Sequence, residues 1–133
     1  MTLAFRQPLR CFYLWLVLGW LFIFWVIYQS LTPSPVQTPG IVFGDKVGHF
    51  AAYFVMMAWF AQLYTRQRHF LFLICFILLG VAMEILQGQT TYRLFEFADM
   101  VANSLGAFVA YFCAAPRYRF AGILRHCECV ISR

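Results

Sequence analysis

The chain has 133 residues, of which 63% are hydrophobic, 20% aromatic and only 11% charged. An ordinary globular domain is about 45–50% apolar and about 25% charged, so this composition excludes a typical water-soluble domain and indicates a membrane protein. The net charge of +5 could suggest nucleic acid, but apolar runs separate the basic residues, so we expect no nucleic-acid partner.

A short basic head over residues 1–10 leads into an uncharged apolar run over residues 11–28. At about 1.5 Å per residue, 18 residues are just long enough to cross the hydrocarbon layer. A secretory signal peptide has an apolar region of about 7–15 residues followed by a small-residue cleavage site, and the second half of this run offers none. The sequence therefore predicts a retained first transmembrane helix.

Prolines at positions 33, 35 and 39, with Gly40 and Gly44, interrupt the chain after this run and predict an extramembrane loop over residues 29–44. Three further apolar runs predict helices over about 47–64, 70–86 and 97–115. A basic turn over 65–69 joins the second helix to the third, and a polar loop over 88–95 precedes the fourth. The prediction is an all-α domain of four transmembrane helices over residues 11–115, followed by a basic tail over 116–133.

The positions of the basic residues predict the orientation of this domain. In a four-helix topology one side of the membrane holds eight arginines, and only Lys46 and Arg93 remain on the other side. By the positive-inside rule, both termini and the 65–69 turn are cytoplasmic. The eight are Arg6, Arg10, Arg66, Arg68, Arg117, Arg119, Arg125 and Arg133.

The side predicted to face outward also holds four of the five acidic residues, namely Asp45, Glu84, Glu96 and Asp99. Residues four apart share a helix face, and polar residues recur at such spacings in the outer turns of three helices. Small residues such as Gly80 and Gly106 lie one turn deeper and allow helix backbones to approach closely. We therefore predict a polar cluster at the outward rim, made by Asp45, Lys46, His49, Tyr53, Glu84, Gln87, Arg93, Asp99 and Asn103.

The ordered set of these residues resembles the VanZ-like family of integral membrane proteins. The similarity covers residues 45 to 110 and consists of Asp45-Lys46-x-x-His49 with Tyr53, Glu84-x-x-Gln87, Arg93, and Asp99-x-x-x-Asn103-x-x-Gly106. The resemblance implies a multi-pass protein of the bacterial cytoplasmic membrane and cell envelope. It also implies a link to reduced susceptibility to the glycopeptide antibiotic teicoplanin, which is a property of the founding relatives.

The chemistry of the cluster leaves three functions open. Lys46 and Arg93 suit an anionic ligand, for which a polyprenyl-linked cell-wall precursor or an envelope protein partner is the candidate in view of the family. Alternatively, Glu84, His49 and Asp99 act as acid-base groups of a membrane enzyme. The third alternative is a purely structural clasp, with Asp45 capping its helix and the other polar groups joining helices.

We expect no cofactor and no metal. The tail stretch His126-Cys127-Glu128-Cys129 offers at most three adjacent ligands, whereas a structural zinc site needs four ligands in separated pairs. The lipid bilayer is the expected surrounding, and four short helices leave self-association open. Within the cluster we expect Glu84→Ala to destabilise or inactivate the protein more than Arg66→Ala.

Overall fold

The computed structural model describes residues 9, 11–33, 44–114, 124 and 127. The predicted basic head, the proline-rich loop after Pro33 and the tail with its His126–Cys129 stretch lie outside the described residues, apart from Leu9, Leu124 and Cys127. The described part contains four α-helices: α1 (Phe12–Leu31), α2 (Gly44–Leu63), α3 (Arg66–Gly88) and α4 (Phe97–Cys113). This confirms the all-helical prediction for the described part of the chain.

The helix ends differ from the predicted ones where polar residues join the helical turns. α1 continues to Leu31 because the next proline along the chain is Pro33, and the residue before a proline is disfavoured in the helical conformation. α2 begins at Gly44, so Asp45 lies in the first turn and not at the N-cap. α3 begins at Arg66, and most of the predicted basic turn belongs to its first turn.

α2 is the central helix of the bundle. It packs most extensively against α4 and also contacts α1 and α3. Its side chains include the fully buried Tyr53, Met56, Met57 and Phe60. A helix surrounded by other helices can carry polar residues, because few of its side chains face the surroundings of the bundle.

α1 and α3 are long and apolar enough to cross a membrane, and α4 is a shorter apolar helix. The 23 residues of α3 extend over about 34 Å at about 1.5 Å per residue, slightly more than a hydrocarbon core of about 30 Å. α1 exposes large apolar side chains along much of its length, including Tyr13, Leu21, Phe24 and Tyr28. An apolar surface of this extent on a soluble monomer would mark an interaction site.

The close approach of α2 and α4 depends on Gly106. A Cβ atom added at Gly106 would overlap the backbone carbonyl of Phe50 and lie 3.1 Å from the backbone nitrogen of Phe54. This confirms the prediction that Gly106 allows the helix backbones to approach. The alignment brings the first turns of α2 and α4 to the same end of the bundle, together with the last turns of α1 and α3.

We predict that Gly106→Ala lowers the free energy of unfolding by at least about 1–3 kcal/mol, because backbone atoms of α2 cannot yield as a flexible side chain can. Gly48→Ala is the matched control, since a Cβ added there meets no atom within 4 Å. Thermal unfolding of both variants in detergent micelles measures the difference. Equal melting temperatures for the two variants would show that the α2–α4 contact is looser than described.

Candidate functional site

An ion cluster centred on Lys46 joins the first turns of α2 and α4. The Lys46 Nζ atom lies 3.0 Å from Asp45 Oδ2, 2.7 Å from Glu96 Oε2 and 2.9 Å from Asp99 Oδ1. Glu96 is the residue immediately before α4, and Asp99 is in its first turn. One ammonium group therefore contacts carboxylates from both helix starts.

These contacts change the acid-base properties of the two residues that precede the predicted span over 47–64. The hydrogen bonds that Lys46 donates to Asp99 and Glu96 raise the pKa of its ammonium group. The hydrogen bond from Lys46 lowers the pKa of the Asp45 carboxyl. Both shifts favour the charged forms, so the cluster is an ionic one at neutral pH.

His49 lies one helical turn after Asp45 and faces α4. Its Nδ1 atom is 3.1 Å from Asn103 Oδ1, and its Nε2 atom is 3.6 Å from Asp99 Oδ2. Because an amide oxygen only accepts hydrogen bonds, Nδ1 is the donor in the first contact. In the neutral imidazole Nε2 then carries a lone pair that faces a carboxylate oxygen.

Glu84 reaches the same region from the last turns of α3. Its side chain is completely buried, with 0% relative exposure. The Oε2 atom accepts a long hydrogen bond of 3.5 Å from the backbone N–H of Glu96, whereas the buried Oε1 atom has no hydrogen-bond partner among the described residues. A buried polar atom without a partner costs free energy and requires an explanation, such as a bound ion or water.

Two more polar atoms near Glu84 are buried without a hydrogen-bond partner in the described part of the chain. They are the hydroxyl of Tyr53 and the Nε atom of Arg93. Both groups lie within electrostatic range of Glu84. No ion pair within 4.0 Å joins Arg93 to another described residue. Helices α2 and α3 and the segment before α4 thus each direct an unpartnered polar atom into the interior.

Gln87 has a different role from the other predicted site residues. Its Nε2 atom donates a 2.6 Å hydrogen bond to the backbone oxygen of Ser30, and both residues are buried. The hydroxyl of Tyr92 donates to the neighbouring Leu31 oxygen at 2.8 Å. These contacts tie the end of α1 to α3 and its following loop, which is a structural function.

The structure adds Glu96 to the cluster. The sequence prediction counted this residue only among the acidic residues on the outward side. Glu96 contacts Lys46 through its side chain and Glu84 through its backbone. Its position three residues before Asp99, at a helix start, was the signal that could have identified it. The remaining predicted residues of the cluster meet as described: Asp45, Lys46, His49, Asp99 and Asn103 through direct contacts, and Tyr53, Glu84 and Arg93 around the buried carboxyl.

Two groups of side chains place metal-ligating atoms close together. One consists of His49, Glu84 and Asp99, and the other of Asp45, Glu96 and Asp99. Within each group the ligand atoms all lie within 4.8 Å of one another. The sequence prediction assigned no metal ligand, because spacing within each helix does not show which side chains of different helices come together.

The family comparison covers most of the chain. The family model described as VanZ/LLP1 matches residues 7–120. The chain belongs to the VanZ/LLP1 family. This confirms the resemblance that was based on residues 45 to 110.

The chain is also similar to an uncharacterised protein of the fission yeast Schizosaccharomyces pombe. The two are 34% identical over 70 residues, which cover 50% of this chain and 43% of the yeast protein. The chain thus matches less than half the length of that relative. No solved structure matches the chain significantly.

The polar contacts predict opposite effects for two neighbouring substitutions in α3. Glu84→Gln keeps the shape of the side chain and removes a buried carboxylate with an unpartnered oxygen, so the variant should be at least as stable as the parent. Gln87→Leu leaves the Ser30 oxygen unpartnered and should lower the free energy of unfolding by about 1–3 kcal/mol. Thermal unfolding in detergent with a chelator present measures both.

The stabilities of these two variants show whether Glu84 belongs to a binding site or only joins helices. If Glu84→Gln is destabilised as strongly as Gln87→Leu, Glu84 is a structural residue.

For the comparison of Glu84→Ala with an arginine variant, Arg68 is the better control. Arg66 donates a 2.9 Å hydrogen bond to the Tyr111 oxygen and lies over the Tyr111 ring, so its removal also costs packing.

Proposed function

We propose that this chain is a multi-pass protein of the bacterial cytoplasmic membrane, with four spanning helices and both termini in the cytoplasm. Family membership, the two long apolar helices and the large apolar side chains exposed on α1 support this proposal. α4 is 17 residues long and measures about 26 Å, which is at the short end of the range for a spanning helix, and its first turn is polar. The cluster around Lys46 then faces the outside.

In this orientation Arg93, beside the cluster, binds the anionic headgroup of a lipid-linked component of the cell envelope. The observation that carries the proposal is Arg93, whose buried Nε atom has no partner and whose guanidinium pairs with no described carboxylate. A guanidinium group offers a planar fork of donors that matches phosphate. Arg93 lies in the connection between α3 and α4, at the end of the bundle where a headgroup would be reached from the outer leaflet.

Of the two cations, Arg93 is more suitable than Lys46 for binding an anionic headgroup. Three carboxylates already surround the Lys46 ammonium, so an anion would have to displace one of them. Arg93 has no such competitor within ion-pair distance among the described residues. The headgroup therefore binds on the Arg93 side of Glu84, and Lys46 holds the helix starts in place.

A membrane enzyme is the second candidate function. Glu84, His49 and Asp99 would act as its acid-base groups on a lipid-linked substrate, and their mutual approach within 4.8 Å favours this candidate. Incubation of the purified protein with polyprenyl-linked substrates distinguishes the two. Binding without any product over many hours supports the accessory function, and product formation that Glu84→Gln abolishes supports the enzyme.

A structural clasp in an assembly factor explains part of the cluster. The Lys46 ion cluster and the Gln87 contact with Ser30 both join helices. A clasp does not explain why polar atoms of Tyr53, Glu84 and Arg93 are buried without a hydrogen-bond partner among the described residues. Self-association and a role in teicoplanin susceptibility stay predictions, the latter resting on the family resemblance.

We predict that Arg93→Gln weakens binding of undecaprenyl phosphate at least tenfold, because a bidentate charged donor is replaced by a neutral amide. Native mass spectrometry of the protein in lipid nanodiscs, titrated with the lipid, gives the affinity. Arg68→Gln removes the same charge at the other end of the bundle and should bind as the parent does. Equal loss in both variants would indicate general electrostatic attraction and would contradict a site at Arg93.

A further inference from the structure

The contact between His49 and Asp99 joins two hydrogen-bond acceptors when the imidazole is neutral. With Nδ1 donating to Asn103 Oδ1, the neutral imidazole presents the lone pair of Nε2 to Asp99 Oδ2 at 3.6 Å. Two acceptors that face each other repel, unless a proton or a cation lies between them. The Asn103 contact also fixes the ring orientation, as the outer partner of a metal-binding histidine does.

Glu84 brings a second carboxylate to the same point. A carboxylate oxygen of Glu84 lies within 4.8 Å of both the His49 nitrogen and the Asp99 oxygen. The side chain is completely buried and its Oε1 atom has no hydrogen-bond partner among the described residues. The nearest cationic side chain on the loop after α3, Arg93, makes no ion pair within 4.0 Å with Glu84. The buried Glu84 carboxylate therefore lies beside two other ligand atoms, a His49 nitrogen and an Asp99 oxygen, and no cation among the described residues lies within ion-pair distance of it.

The neighbouring group of acids shows how this fold supplies a cation where the chain has one. Asp45, Glu96 and Asp99 also form a triad of ligand atoms within 4.8 Å, and the Lys46 ammonium contacts all three at 2.7–3.0 Å. Asp99 belongs to both triads, with Oδ1 on Lys46 and Oδ2 facing His49. One triad thus surrounds the ammonium group of Lys46, and no side chain in the described part of the chain takes the equivalent position in the other.

We propose that His49, Glu84 and Asp99 bind a divalent transition-metal ion, Mn²⁺ or Zn²⁺. One imidazole nitrogen and two carboxylate oxygens form a mixed donor set that suits these ions better than Mg²⁺ or Ca²⁺. Zn–N and Zn–O bonds of about 2.0–2.2 Å place tetrahedral ligand atoms about 3.4 Å apart, close to the 3.6 Å between His49 Nε2 and Asp99 Oδ2. Three protein ligands leave at least one coordination position open, as in catalytic metal sites.

The function of this ion rests on the proposed binding of an anionic headgroup. Among the described residues, four carboxylates near the site have Lys46, Arg93 and His49 as their basic neighbours, and such an excess of negative charge repels a phosphate. A divalent cation reverses this balance and offers a phosphate oxygen the open coordination position, beside Arg93. Binding of the ion itself does not require the lipid.

The test is a metal titration of the full chain without added lipid. The protein carries Cys127→Ser and Cys129→Ser, so that tail thiolates do not compete for the metal, and is purified in detergent and stripped with a chelator. Isothermal titration with MnCl₂ and ZnCl₂ gives affinity and stoichiometry, and MgCl₂ serves as the comparison ion. Thermal unfolding with and without metal shows whether the folded state binds it, because a ligand of the native state raises the melting temperature.

We expect one Mn²⁺ or Zn²⁺ per chain and weaker binding of Mg²⁺. Glu84→Gln and His49→Gln should each lower the affinity at least tenfold, whereas Glu96→Gln, which removes a carboxylate of the lysine-filled triad, should change it less than threefold. No metal binding by the folded parent, or equal losses in Glu84→Gln and Glu96→Gln, would overturn the proposal. Because the titration contains no lipid, a negative result leaves the binding of a headgroup by Arg93 to be judged by its own experiment.

Discussion

The structure depends on the ion cluster of Lys46, whose ammonium group holds Asp45, Glu96 and Asp99 at the starts of α2 and α4. These helices approach so closely at Gly106 that no side chain fits between their backbones. The side chain of Lys46 is only 25% exposed and that of Asp99 only 10%. Charged groups shielded from water in this way interact strongly, and removal of one partner leaves the others uncompensated. The contact between Lys46 and Asp99 therefore determines how the remaining polar groups at this end of the bundle are arranged.

Asp99 links this structural cluster to the candidate site. One of its oxygens contacts Lys46 and the other faces His49, close to the buried carboxyl of Glu84. The two halves differ in one respect: among the described residues, an ammonium group contacts every carboxylate of the first half, whereas no cation lies within ion-pair distance of Glu84 in the second half. A fold selected only for stability has no reason to retain an unpartnered carboxylate in its interior. This difference is the basis of our proposal that the second half binds a ligand.

The sequence predicted the location of the site better than its internal contacts. Helical spacing and the alternation of helix direction predicted that residues 45–49, 84–87 and 99–103 lie at one end of the bundle. These residues were easy to identify, because polar residues in apolar runs are few. Spacing could not show that Lys46 is surrounded by carboxylates or that Gln87 turns toward Ser30, since both depend on how the helices rotate against one another. The helix starts at Gly44 and Arg66 were also missed, because an apolar run shows the buried part of a helix and not its polar first turn. Glu96 joins the site through its side chain, which contacts Lys46, and through its backbone N–H, which contacts Glu84.

A double-mutant cycle between Lys46 and Asp99 tests the central interaction most directly. The free energies of unfolding of Lys46→Met, Asp99→Asn and the double variant are measured in bicelles by denaturant titration. Residues in direct ionic contact should be coupled by about 1–3 kcal/mol, so the double variant should be less destabilised than the sum of the single variants. Additive effects would mean that the two side chains do not interact, and the arrangement of the cluster described above would be wrong.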